Sequence, residues 1–294
     1  MCLIRSNAAA AGVYQITRPE STFAMHSDWI IPDWPAPEGV RAVFTTREGG
    51  VSAAPFDSMN LGAHVGDAYR AVQANRAFLQ SATGTQAVFL EQVHGSKVLA
   101  IGAQTADGQT ADACITDRRK LACTIMVADC LPVLLATGAG DVVAAAHAGW
   151  RGLAGMGENA GDGVLASVYA SFNALAQAGR AQGAIKTIAW LGPCIGPGAF
   201  EVGAEVKAAF ETVRPAAARF FVDIGPGKYL ANLPALARLR LRALGINEIY
   251  GNDGTAAWCT ASNPSRFFSH RRDAAVTGNG FGTTGRMAAC IWLE

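Results

Sequence analysis

The chain has 294 residues, of which 50% are hydrophobic and 16% charged, enough to bury a sizeable core in a unit that folds by itself. Its 24 lysines and arginines nearly cancel its 23 aspartates and glutamates, so there is no net positive field of the kind that attracts nucleic acid or an acidic membrane surface. We therefore expect neither a nucleic-acid nor a membrane partner, and a small molecule is the default ligand.

The first part of the chain differs in composition from the rest. Residues 1–24 contain an alanine-rich run with too little charge and too short an apolar core for a secretory signal, and Met25 is an alternative start. We predict a disordered N-terminal extension over 1–24 and a single domain over 25–294. The seven cysteines are irregularly spaced without a CxxC pair, which favours a reducing compartment, and we expect a cytoplasmic protein.

Hydrophobic periodicity predicts both helices and strands, mixed along the chain. Helical spacing is clearest over four segments, the last of which is ended by Gly245, and short runs rich in strand-forming residues occupy seven others. The predicted elements in chain order are strand 42–46, helix 69–80, strands 87–93, 121–127, 133–136 and 142–146, helix 155–176, strand 187–191, helices 202–212 and 233–244, and strand 289–293.

Several predicted strands follow one another between residues 87 and 147 without an intervening helix. This order favours the α+β class over a strictly alternating parallel fold. We expect a single compact domain in which mixed β-sheets are flanked by helices. The most apolar stretch, 121–137, is interrupted by Asp129 and Pro132 and is too short for a membrane span, which needs about 20 apolar residues.

Reactive side chains lie where three of the predicted strands end. His94 follows strand 87–93, Cys130 follows strand 121–127, and His147 follows strand 142–146. Two imidazoles and a thiolate suit Zn²⁺, and three protein ligands leave a fourth position open, as in catalytic zinc sites. Residue types alone leave the alternative of a small buried cysteine and two structural histidines open.

The segments around these residues are specific enough to indicate a family. In chain order they read FTTREGGVS, NLGAHVGD, EQVHG, ADCLPVLL, AHAGWRG, LGPCIGP, FEVG and FFSHRRD, and from about Trp29 to Glu294 the chain resembles the YfiH-like family. Members of that family have been described as multicopper polyphenol oxidases, as purine nucleoside phosphorylases and as a peptidoglycan editing factor.

The resemblance implies an α+β domain whose cleft holds Zn²⁺ on His94, Cys130 and His147, which would also be catalytic. It implies a transferase, a purine nucleoside phosphorylase acting on adenosine, inosine and S-methyl-5′-thioadenosine with phosphate, and a hydrolase side activity, adenosine deaminase. The expected partners are purine nucleosides and phosphate, bound by a monomer or small homo-oligomer. Copper is expected to be able to replace zinc in vitro.

Roles for further residues follow from these two reactions. In phosphorolysis, phosphate needs cationic groups, for which Arg47 and Arg151 are the catalytic candidates. In deamination, the attack of water on adenosine needs a group that transfers the proton, and Glu91 or His64 can provide it. Asp129 is a candidate for orienting a histidine ligand. The remaining predicted substrate contacts are Asn60, Ser269, Arg271 and Arg272. The glycine-rich stretch 274–286 is longer than is usual for the family.

Three other functions remain as alternatives. A multicopper oxidase needs many histidines, often as HxH pairs, and the chain has five histidines and no such pair, which makes that function the least favoured. Cys130 with a histidine base is also the arrangement of a cysteine hydrolase acting on an amide. Editing of a peptidoglycan precursor is the third alternative. A binding module without catalysis does not account for an open ligand position.

Overall fold

A computed structural model describes residues 24–156, 163–178, 185–277 and 283–294, with side chains described only to Asp273 in the third range. The predicted extension therefore lies outside the described residues except for Ala24. The strands are β1 (Val40–Phe44), β2 (Gln86–Phe89), β3 (Val98–Ala100), β4 (Ala113–Thr116), β5 (Leu121–Val127), β6 (Leu131–Thr137), β7 (Val143–Ala148), β8 (Thr187–Leu191), β9 (Glu201–Gly203), β10 (Phe221–Gly225), β11 (Lys228–Ala231), β12 (Glu248–Gly251) and β13 (Met287–Leu293). The α-helices are α1 (Tyr69–Thr83), α2 (Trp150–Ala154), α3 (Gly163–Gln177), α4 (Ala204–Val213), α5 (Leu233–Ala243) and α6 (His270–Thr277).

The strands form three sheets in the described part of the chain. A six-stranded mixed sheet has the order β12-β8-β6-β7-β4-β3, a four-stranded mixed sheet has the order β1-β13-β5-β2, and a three-stranded antiparallel sheet has the order β10-β11-β9. Because the sheets combine parallel and antiparallel neighbours and helices cover them, the predicted α+β domain of mixed sheets flanked by helices is confirmed.

Side chains that alternate along the strands build the core in layers. Ile125 of β5 and Leu134 of β6 meet between the two larger sheets, whereas Met126 of β5 points to the other side, where Leu79 of α1 covers it. The opposite face of the six-stranded sheet, including Val133, packs against α3, α4 and α5. Strands buried on both faces explain why Leu121–Val127 and Leu131–Thr137 are both rich in apolar residues.

The predicted elements are present, and strands 121–127 and 187–191 have the predicted boundaries, whereas those of the other elements are shifted. Helix 233–244 is α5, begun by the side chain of Asn232, which accepts from Ala235 N, and followed by Gly245 in the left-handed region (φ 85°). Helix 202–212 begins later than predicted because its first residues pair in β9. Helix 155–176 corresponds to α3, and residues 157–162 lie outside the described part. The elements that were not predicted are β3, β4, β9, β10, β11, β12, α2 and α6.

Pairing within the six-stranded sheet brings the reactive residues to one edge. Antiparallel β6 and β7 place Leu131 opposite Ala148, so Cys130 and His147, each one residue away, lie near each other. Strand β7 pairs with β6 on one side and with β4 on the other. Asp112 directly precedes β4, and its backbone oxygen accepts a hydrogen bond from His147 N (2.7 Å). Within the described residues, no helix has the length and apolar character needed to cross a bilayer.

Candidate metal centre and pocket

His94, Cys130 and His147 lie together at this sheet edge. Their potential ligand atoms are all within 4.8 Å of one another, and Cys130 Sγ is 3.6 Å from His94 Nε2. The two imidazole rings meet edge to face, with centroids 4.8 Å apart. His147 is buried, Cys130 is half-buried, and His94 is exposed, so the cluster opens to one side. This arrangement suits an ion with three protein ligands and one accessible position.

A carboxylate that the sequence did not reveal organises the cluster. Asp112 is completely buried, and its Oδ1 lies 2.8 Å from His147 Nδ1. It also accepts hydrogen bonds from the backbone N–H groups of Val93 (3.2 Å), His94 (2.9 Å) and Gly95 (2.7 Å). One side chain therefore fixes the orientation of the His147 ring and the course of the loop that carries His94, leaving Nε2 of His147 for a ligand.

Charge interactions within the cluster shift its pKa values. Burial alone would raise the pKa of the Cys130 thiol, but the adjacent His147 and His94 outweigh this and lower it to about 6. Burial alone would lower the pKa of His147, but Cys130 and Asp112 together raise it to about 9. The pKa of Asp112 is lowered despite its burial, because His147 and backbone N–H groups stabilise the carboxylate. At neutral pH the metal-free cluster thus holds a thiolate beside an imidazolium.

The backbone of Gly149 lies close to two of the potential metal ligands. A Cβ at Gly149 would lie 2.8 Å from His94 Cδ2 and 3.0 Å from Cys130 Sγ, too close for any other residue without displacing a ligand. His94 (φ 62°) and Asp129 (φ 93°) both adopt the left-handed region, which is uncommon for residues other than glycine. Strained backbone at both positions is consistent with a functional site.

The cluster lies in a cavity of about 390 Å³. Its apolar wall includes Met126, Ile195, Phe200 and Leu233. Polar lining residues include the cations Arg151, Arg271 and Arg286 and the imidazoles of His64 and His270. A cavity of this size with an apolar wall and a few convergent polar groups is typical of small-molecule sites.

Three of the predicted site residues outside the cluster line this cavity: His64, Arg151 and Arg271. Arg151 lies over the Trp150 ring at 4.6 Å, and Arg271 donates from Nη1 to Glu201 O (2.9 Å). The pKa of His64 is lowered by partial burial and by the nearby Arg286 and Arg76, which keeps its imidazole neutral at neutral pH.

The other predicted site residues are not among the residues that line the cavity. Arg47 donates to Asp57 Oδ2 (3.2 Å) and to Pro264 O (2.8 Å), and the buried Asn60 donates to Asp67 Oδ2 (2.8 Å). Glu91 accepts from Thr110 (2.6 Å). Ser269 and Arg272 hold the start of α6, through Arg272 N to Ser269 Oγ (3.2 Å) and an ion pair between Arg272 and Asp273 (2.9 Å). The predicted roles of these five residues in catalysis and substrate binding stay predictions.

Asp129 has a different role from the one expected. Its carboxylate accepts from Thr260 Oγ1 (2.6 Å) and from Arg271 N (2.6 Å), so it fastens the turn before Cys130 to the C-terminal segment. Asp112 holds the histidine instead. Sequence reasoning also missed Gln92, which makes two hydrogen bonds of 2.8 Å with the Met126 backbone, and Arg286. For Arg286 the available signal was its place at the end of the glycine-rich stretch.

Comparison with known proteins agrees with this architecture. Residues 41–294 match the family model described as multi-copper polyphenol oxidoreductase laccase. Purine nucleoside phosphorylase YfiH of Escherichia coli is 45% identical over 269 residues, 91% of this chain and 99% of the relative. The chain belongs to the YfiH family. A second member, the purine nucleoside phosphorylase of Haemophilus influenzae, is 42% identical over 90% of this chain and 99% of its own length.

Solved structures of YfiH-family members share the fold. A Neisseria meningitidis protein assigned to DUF152 superposes with a TM-score of 0.78 at 44% identity, covering 91% of this chain and 99% of that protein. YlmD of Geobacillus stearothermophilus gives a TM-score of 0.75 at 29% identity, covering 88% of this chain and 94% of its own. The predicted family is therefore confirmed.

Proposed function

We propose that the chain is a zinc-dependent purine nucleoside phosphorylase that cleaves adenosine, inosine and S-methyl-5′-thioadenosine. The observation that carries the proposal is the His94, Cys130 and His147 cluster, which opens into a cavity with arginines in its lining. Relatives at 42–45% identity bear the name purine nucleoside phosphorylase, and the alignments span nearly their full lengths.

The residues present fit a zinc ion. Two imidazoles and a thiolate form the borderline-soft donor set that Zn²⁺ prefers. Asp112 occupies Nδ1 of His147, so the other ring nitrogen is available, and the lowered pKa of Cys130 supplies a thiolate at neutral pH. Zinc held there would supply Lewis-acid polarisation and water activation, which is the chemistry we propose for a side activity in deaminating adenosine.

In phosphorolysis a phosphate oxygen forms a bond to C1′ of the ribose while the bond from C1′ to the purine nitrogen breaks. The bonding electrons leave with the purine, which takes up a proton, and the products are the free base and ribose 1-phosphate. The apolar side chains of Ile195, Phe200 and Leu233 provide a surface for the flat base. His270 is a lining imidazole outside the cluster from which a proton can reach the base.

A specific observation favours a second candidate function. The His147 imidazolium interacts with the Cys130 thiolate on one side and with the buried Asp112 carboxylate on the other. Cysteine hydrolases use a thiolate, an imidazole and a third orienting group in the same spatial order. Such a triad would attack an amide carbonyl, and a peptidoglycan precursor is one substrate with that bond. The same three side chains thus serve either as part of a metal centre or as a nucleophilic triad.

Removal and return of the metal separates the two functions. Chelated protein should lose adenosine phosphorolysis and regain it when one equivalent of Zn²⁺ is added, because a metal centre needs the ion. Iodoacetamide should label Cys130 in the chelated protein but slowly in the zinc-loaded protein, since a coordinated thiolate is shielded. Full activity after chelation, together with rapid labelling that abolishes it, would instead establish Cys130 as a nucleophile.

A further inference from the structure

The cavity contains an arginine, Arg286, to which the proposed mechanism gives no role. Arg286 lines the cavity and is half-buried, and Nη1 of its guanidinium donates to Thr284 O (2.9 Å) and Gly285 O (3.2 Å). Among the described residues its Nε and Nη2 have no hydrogen-bond acceptor, and no carboxylate forms an ion pair with it. The free edge of a guanidinium is the side that takes an oxyanion through two parallel hydrogen bonds.

Residues 60–62 fix the backbone of Arg286 and the start of its side chain. Arg286 N donates to Asn60 Oδ1 (2.8 Å), and Leu61 N donates to Arg286 O (3.0 Å). The Arg286 side chain crosses Gly62 so closely that a Cβ there would lie 2.7 Å from Arg286 Cγ. The buried Asn60 is itself fixed by Asp67, so the cation is positioned before any ligand arrives.

The acidic groups near Arg286 have other partners. The acidic groups that act on it are the Cys130 thiol and Asp129. Asp129 is already bound by Thr260 and by Arg271 N, and the Cys130 thiolate would be neutralised by a metal ion. His64, on the same loop as Asn60, lines the same cavity as Arg286, and its lowered pKa favours the neutral imidazole with its N–H donor. A partly desolvated cation left without a counter-ion is unfavourable, and a bound oxyanion removes that cost.

The other arginines considered for this role are less suited to it. Arg47 is committed to Asp57 and Pro264 outside the cavity. Arg272 is paired with Asp273. Arg151 is exposed and stacks on Trp150. We propose that Arg286, with the His64 imidazole of the same cavity, forms the subsite for a tetrahedral oxyanion and that its ligand is inorganic phosphate. This inference rests on the proposed phosphorolysis.

A binding experiment tests the subsite without any nucleoside. The melting temperature of zinc-loaded protein is measured in increasing inorganic phosphate, with chloride holding the ionic strength constant, for wild type, Arg286→Gln, Arg286→Lys and Arg118→Gln. Arg118 is an exposed control that pairs with Asp117. We expect phosphate to raise the melting temperature of wild type and Arg118→Gln, to raise it less in Arg286→Lys, and to leave Arg286→Gln unchanged.

Equal shifts in wild type and Arg286→Gln, or no shift in wild type, would overturn the subsite. A shift with adenosine monophosphate but none with inorganic phosphate would overturn the choice of ligand. Because this readout involves no turnover, it stands even if phosphorolysis itself is not observed. Circular dichroism of each variant checks that it is folded, and His64→Gln, which removes the second donor, should weaken the phosphate response in a background with Arg286 intact.

Kinetics then separate phosphate binding from nucleoside binding. Arg286→Gln should raise the KM for phosphate by about tenfold or more, the loss expected for charge-assisted hydrogen bonds, and leave the KM for adenosine and the zinc content unchanged. A raised KM for adenosine with an unchanged KM for phosphate would contradict the assignment. So would a rise in the phosphate KM caused by Arg151→Gln but not by Arg286→Gln.

Discussion

Asp112 Oδ1 lies 2.8 Å from His147 Nδ1, and the same carboxylate accepts the backbone N–H of His94 at 2.9 Å. Two potential metal ligands that come from different strand ends are therefore tied to one buried residue. This arrangement determines which nitrogen of His147 faces Cys130. It also holds His94 in a backbone conformation that few residues other than glycine adopt.

Replacing this carboxylate should weaken metal binding. Asp112→Asn puts an amide where three backbone N–H groups and an imidazole need an acceptor, so we expect zinc affinity to fall about 10- to 100-fold. A competition titration with a chelator measures the change, with circular dichroism as the check on folding. Asp117→Asn, which removes an exposed carboxylate, is the matched control. Unchanged zinc affinity in folded Asp112→Asn would exclude an orienting role for Asp112.

The pKa of Cys130 predicts how its reactivity depends on pH in metal-free protein. The thiol pKa is lowered from 9.0 to about 6, so the folded-state stabilisation is present above 9 and lost as pH falls through about 6. The His147 pKa is raised from 6.5 to about 9, so its contribution is present below 6.5 and lost as pH rises through about 9. The thiolate–imidazolium pair therefore exists between about 6 and 9.

The rate of Cys130 alkylation by iodoacetamide, followed by peptide mass spectrometry in chelated protein, should rise with a midpoint near pH 6. His147→Gln should move that midpoint to higher pH, because the largest charge that lowers the Cys130 pKa is gone. A midpoint near 9 in the wild type would show that the pair does not form.

Gly149 provides a steric test of the cluster. Gly149→Ala adds a Cβ that would meet His94 Cδ2 at 2.8 Å and Cys130 Sγ at 3.0 Å, so a ligand must move. We expect loss of zinc and of turnover, with the protein still folded. Gly102→Ala, where a Cβ meets no atom within 4 Å, is the matched control and should behave as wild type. Zinc content and nucleoside turnover equal in the two variants would argue against a compact three-ligand cluster.

Arg47 should prove to be structural. Its guanidinium bridges the Asp57 side chain and the Pro264 carbonyl, joining two loops outside the cavity. Arg47→Gln should lower the free energy of unfolding by about 1–2 kcal/mol, as loss of hydrogen bonds to a charged group does. The kcat and both KM values should stay near those of the wild type. A large fall in kcat without loss of stability would return Arg47 to the active site.

The sequence predicted the parts of the site that lie at the ends of long, strongly apolar strands. Strand β5 was predicted with its observed bounds, Cys130 lies between β5 and β6 as predicted, and His147 is the second-last residue of β7 rather than the residue after it. Asp112 was not predicted as a site residue because it precedes β4, a strand of four residues whose short apolar run gave no periodic signal. Because β4 was not predicted, its pairing with β7 could not be inferred either, and it is this pairing that brings Asp112 to His147.

The substrate contacts were harder to predict for a different reason. Polar residues in a loop motif can face a ligand or stabilise the loop itself, and sequence does not distinguish the two. Asn60 and Glu91 make hydrogen bonds to loop residues, and Arg286 lines the cavity although it lies 226 residues away from Asn60 along the chain. Such long-range contacts depend on tertiary packing rather than on local pattern.

The most direct test of the proposed function is product analysis with adenosine. Zinc-loaded wild type and Cys130→Ala are incubated with adenosine, with and without inorganic phosphate, and the products are separated by chromatography. We predict adenine and ribose 1-phosphate from the wild type only when phosphate is present, and neither product from Cys130→Ala. Absence of phosphate-dependent cleavage of adenosine, inosine and S-methyl-5′-thioadenosine by the wild type would contradict the phosphorylase and favour the cysteine hydrolase.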